Sequence, residues 1–76
     1  MAINASEIRE HMKVVGSDGQ HVGTVDGIEG SRIKLTKSDP AAHGKHQYIE
    51  LSEVGQIKNG EVCLSKKAEE AKQRFN

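Results

Sequence analysis

Seventy-six residues leave room for one domain, and a domain of this size buries only about 60% of the surface its unfolded chain exposes. Leu, Ile, Val and Phe supply just 16 residues, near the level at which highly charged chains stay disordered, but 11 basic residues balance 11 acidic ones and folding is expected. That balance removes any general attraction to nucleic acid or anionic lipid; with no signal-like start and no apolar run of about 18 residues, neither secretion nor a membrane span is expected.

In chain order, Asn4 is placed to cap a short helix, with Glu7 three residues on and Ile3 and Ile8 where a hydrophobic staple would sit. The spacing predicts an N-terminal helical segment over residues 1–12, laying Ile8 and Met12 across one edge of the fold. Six Ile and six Val against three Leu favour strands after it, because β-branched side chains suit a pleated sheet. Lys13-Val14-Val15 is the first strand, and Ser17-Asp18-Gly19-Gln20 a hairpin turn of the type I′ kind, in which both central residues have positive φ.

Val22, Val25 and Ile28 then recur every third position, whereas a half-buried strand repeats every second one. Gly23 and Gly27 mark the slips, which predicts one long strand bent by bulges there. After a turn at Glu29-Gly30-Ser31, the segment 32–36 alternates cleanly, Ile33 and Leu35 inward and Arg32 and Lys34 outward. Residues 37–45 are the longest loop, polar and holding the only proline. Residues 46–51 resume a strand with Ile49 and Leu51 on one face and Tyr48 and Glu50 on the other. Ser52 is expected to cap a single helical turn, and Asn59-Gly60 to join two short strands with Val62 and Leu64 inward. From Ser65, the expected cap, residues 65–76 take on helical composition; Ala68, Ala71 and Phe75 share a weak stripe, and the helix either docks through Phe75 or projects into solvent.

The segment Val14-Val15-Gly16-Ser17-Asp18-Gly19-Gln20-His21-Val22-Gly23-Thr24-Val25, followed by Tyr48-Ile49-Glu50-Leu51-Ser52-Glu53-Val54, resembles the PRC-barrel superfamily. Over its whole length the chain is similar to small stand-alone bacterial proteins of a domain-of-unknown-function family with a PRC-like barrel. The resemblance implies one mainly β domain over 1–76, a six-stranded PRC-barrel-like β-barrel at 13–64 between a short N-terminal helix and a C-terminal helix. A closed sheet filled by its own side chains would leave no cleft for chemistry. The membrane anchor of the photosynthetic reaction-centre relative and the extra RNA-related domain of the ribosome-maturation relatives have no counterpart here.

Four histidines raise a metal question. His43 and His46 with Asp39 are the candidate ligands, but a zinc site wants three or four well-spaced donors, and a solvated surface accounts for the pair better. Cys63 lies within Val62-Cys63-Leu64, where a small filler is expected; unpaired, it makes a disulfide-stapled secreted fold implausible and a reducing cytoplasm the natural setting. No nucleophile elbow or phosphate loop is present, so neither an enzymatic reaction nor a cofactor is expected. Arg32, Lys34, Lys37 and Lys45 offer a modest basic patch, with Tyr48 the one aromatic near it for base stacking. The leading expectation is a non-enzymatic protein-interaction module that pairs with another protein or with itself as a homodimer, through Met12, Tyr48 or Phe75. An RNA- or ribosome-linked accessory, by analogy with the maturation-factor barrels, is the alternative.

Overall fold

A computed structural model describes residues 7–39, 42, 44–73 and 75. Its strands are β1 (Lys13–Val15), β2 (His21–Glu29), β3 (Arg32–Leu35), β4 (Tyr48–Glu50), β5 (Val54–Lys58) and β6 (Glu61–Leu64), with a 3₁₀ turn at Leu51–Glu53 and one short helix, α1 (Ala68–Lys72). The molecule is mainly β, and its six strands form a sheet of order β4-β3-β2-β1-β6-β5. Neighbours pair antiparallel, except β1 and β6, which run parallel with Val14 against Val62.

The long strand β2 is the hinge of this arrangement. It pairs with β1 through residues 21–24 and with β3 through residues 25–29. Val22 is the extra residue in the first register and Asp26 in the second, each one position before an expected bulge glycine. Every bulge restarts the inward–outward alternation, so Val22 and Val25 are both fully buried although three residues apart. The fully buried side chains Ile33, Leu35, Val14, Val22, Val25 and Val62 all come from strands, and Ala68 and Ala71 of α1 close over them.

The sheet is not closed into a barrel: β4 and β5 stand at its two ends. A reason lies in the turn between them. The N–H of Glu50 donates to the Glu53 carboxylate at 3.3 Å, and the two glutamates form a reciprocal capping box, so Glu50 caps the turn in place of Ser52. A backbone group on that side of β4 is thereby satisfied locally.

The expected N-terminal helix is also absent from the described residues. Ile3 and Asn4 lie outside them, and residues 8–12 carry no helix. His11 has φ 72°, its N–H donates to Val25 C=O at 2.8 Å, and Val25 N–H donates to Met12 C=O at 2.9 Å. A two-turn helix is marginal by itself, and here the backbone of β2 takes its polar groups instead. Ile8 is buried nonetheless.

Turn chemistry divides by sequence. Asn59 and Gly60 both have positive φ, as a type I′ hairpin requires. At the first hairpin only Gly19 does; Gly19 N–H bonds to Gly16 C=O at 2.9 Å, giving a three-residue loop that ends in a left-handed glycine. This leaves Asp18 free to turn elsewhere: its Oδ1 accepts the N–H of Gln20 and, fifty residues away, that of Ala68, both at 3.3 Å. The C-terminal helix is therefore docked, shorter than residues 65–76, and capped from the β1–β2 hairpin; Ser65 instead donates to Glu53 C=O.

Candidate functional site

Two regions bring the expected functional residues together. The first is a surface recess of about 550 Å³ lined by His11, Thr24, Asp26, Thr36, Lys37, Ser38, Asp39 and His46. A filled, closed sheet would have had no such feature; it arises where the loop after β3 folds back over β2. Asp39 anchors that loop with its side chain only 5% exposed, and its Oδ2 accepts a hydrogen bond from His21 Nε2–H at 2.7 Å and from Thr24 Oγ1–H at 2.8 Å. A buried carboxylate is tolerated only when such donors replace water. His46 Nδ1 lies 2.9 Å from Leu35 C=O, which can only accept, so the imidazole donates there. Gln47 Nε2 donates to Ala42 C=O at 3.0 Å and secures the far end of the loop.

Of the three metal candidates, Asp39 thus holds His21 and Thr24, His46 holds a backbone carbonyl, and His43 lies outside the described residues. No group of three or more His, Cys, Asp or Glu among the described residues is placed to hold a metal ion. His21 and Thr24 were not singled out in the sequence as partners of Asp39. They stand 18 and 15 residues away, and neither spacing nor periodicity links a strand to a later loop.

The second region is the outer face of β3 and β4. Tyr48, 37% exposed, is the large apolar side chain that the described residues leave in solvent. The Arg32 guanidinium lies over its ring, 4.8 Å from the centroid. Lys34, opposite Tyr48 in the register, meets Glu29 Oε2 at 3.2 Å; that hydrogen bond, and then the charge of Glu29, raise its ammonium above the usual 10.5. The expected basic patch is accordingly divided: Arg32 is on an aromatic ring, Lys34 is paired, and Lys37 and Lys45 are exposed in the loop. Met12 and Phe75, named with Tyr48 as contact residues, are partly buried and pack against the core.

Cys63 is half-buried on β6, between Val15 of β1 and Gln56 of β5, and lines a shallow groove with Gly55 and Gln56. No helix among the described residues is long and apolar enough to cross a membrane.

Compared with known proteins, residues 8–72 match the model of a family described as an uncharacterized protein conserved in bacteria (DUF2171). No curated protein and no solved structure matches the chain.

Proposed function

Since the chain belongs to this family of uncharacterized bacterial proteins, we propose that it is a non-enzymatic protein-interaction module, acting in the cytoplasm as a single unit and pairing with a protein partner or with a second copy of itself. The observation that carries the reading is the open end of the sheet at β4, where Tyr48 stands in solvent beneath Arg32. Exposed aromatic and Arg side chains are the types that anchor protein contacts, and an unpaired strand edge is a ready template for another chain.

The likeness of the Val14–Val25 and Tyr48–Val54 segments supports kinship with the PRC-barrel superfamily in an open-sheet form, β2 bending through both halves where a barrel would turn its corners. A catalytic reading lacks an acid, base or nucleophile set in the recess, where Asp39 is engaged by His21 and Thr24. The alternative of an RNA- or ribosome-linked accessory would draw on Arg32, Lys34, Lys37 and Lys45, but Lys34 is already paired to Glu29.

Sedimentation equilibrium of the full chain, together with affinity capture from bacterial lysate before and after nuclease digestion, tests the proposal. A mass above 8.3 kDa or a partner retained after nuclease is the expected result. A chain that stays single and loses every captured protein on nuclease treatment overturns the interaction reading in favour of the RNA-linked one.

A further inference from the structure

The pairing pattern of β4 specifies which of its backbone groups face outward. Leu35 N–H donates to Gln47 C=O at 2.8 Å and Leu51 N–H to Ser31 C=O at 2.9 Å. Residues 47, 49 and 51 therefore bond to β3, and the alternation of an antiparallel ladder turns the N–H and C=O of Tyr48 and Glu50 toward the open side. Glu50 N–H is held there by the Glu53 carboxylate. What β4 presents outward is the complete N–H and C=O pair of Tyr48, flanked by the Glu50 carbonyl.

The two ends of the sheet differ in how they discourage pairing. β5 carries a bulge at Gly55 and a lysine at Lys58, both of which blunt an edge. β4 has neither.

Resting on the self-association reading above, we propose that two copies of this chain pair antiparallel through β4, with Tyr48 facing Tyr48 of the second copy across a two-fold axis. In this register the two Tyr48 residues exchange both backbone bonds, and the Glu50 carbonyl lies opposite the His46 amide of the second copy. Glu50 N–H keeps its Glu53 partner. A register setting Tyr48 against Glu50 would instead require that occupied N–H to bond outward, which selects the Tyr48-centred one. Charge argues for a second copy as the occupant: the two-fold puts the Glu50 carboxylate of each copy beside the His46 imidazole of the other, with Arg32 of its own chain on the far side. Each copy thus supplies the acid and the base that its mate lacks, as an isologous interface requires. The contact is short, in the range below about 1,200 Å² typical of transient complexes, so the dimer belongs to high concentration.

Sedimentation equilibrium and amide hydrogen exchange on the intact ¹⁵N-labelled chain, from tens of micromolar to about a millimolar, test it. The mass is expected to rise from 8.3 kDa toward twice that value, while exchange of the Tyr48 amide slows about tenfold and that of Ile49, already bonded to β3, does not change. Glu50→Lys is expected to abolish the dimer, and Glu50→Lys combined with His46→Glu to restore it. A chain that stays at 8.3 kDa overturns both this contact and self-association itself. A doubled mass with unchanged Tyr48 exchange, or a Glu50→Lys chain that dimerises as before, overturns the β4 contact alone. Protection of the Tyr48 amide only in a complex with a different protein gives the edge to that partner and overturns the second copy.

Discussion

Asp39 is the residue on which the longest loop depends. Its carboxylate is almost wholly buried, and one oxygen takes both His21 and Thr24. Asp39→Ala removes the acceptor and strands Thr24 Oγ1, so a loss of about 1–3 kcal/mol is expected in urea unfolding. His21→Ala should cost less, because the imidazole is 45% exposed and water replaces it on one side. Equal losses for the two variants would mean that the loop is held by other contacts. Charge at Lys34 is a smaller matter. Its raised pKa means that whatever Glu29 contributes is complete below pH 10.5 and is lost only as the pH rises through the folded value.

At the scale of elements, α1 is five residues long, and no helix of that length stands unaided. Two devices hold it to the β1–β2 hairpin. A Cβ added at Gly16 would lie 2.1 Å from the Ala68 amide nitrogen, so the strand end and the helix start meet backbone to backbone. Gly16→Ala must therefore push α1 away, and faster exchange of the Ala71 and Gln73 amides is the expected sign of it. Asp18 supplies the second device. Burial at the helix start pushes its carboxyl upward, but the amides of Ala68, Gln20 and Asp18 itself and the charge of Lys67 outweigh that and hold it below the ordinary 3.8. A depressed carboxyl pKa gives stability that is whole above the unfolded value and fades as the pH falls through the folded one. Asp18→Asn should accordingly flatten the acid limb of stability below about pH 4 while leaving neutral-pH strand content intact. An acid limb unchanged in the variant would show that Asp18 does not couple the helix to the hairpin.

For the molecule as a whole, size governs the consequences. At roughly 0.05–0.15 kcal/mol per residue, 76 residues sum to a stability of about 4–11 kcal/mol. Ile33 is fully buried at the centre of β3, and Ile33→Ala at a cost of about 2–5 kcal/mol would consume much of that margin. The variant is expected to melt far below the parent or to be unfolded at physiological temperature. Ile33→Val, with one methyl removed, should remain folded at a loss of about 0.5–1.5 kcal/mol. Similar melting temperatures for the parent and Ile33→Ala would contradict a single thin core shared by both halves of the sheet.

What lay in the sequence was local. Alternation at Arg32-Ile33-Lys34-Leu35 specified a strand and its inward face, Asn59-Gly60 its own turn, and the three-residue spacing of Val22, Val25 and Ile28 announced a bent strand, because each depends on neighbours within a few residues. Tyr48 was legible as an exposed contact residue by the same alternation. The tertiary structure alone decided whether the sheet closes, that β1 runs parallel to β6, that residues 8–12 follow β2 instead of coiling, and that Asp39 is met by His21 and Thr24. Those outcomes turn on which distant backbone and side-chain groups reach one another first in space, as when Glu53 takes the Glu50 amide or Asp18 caps Ala68, and no short-range pattern carries that information.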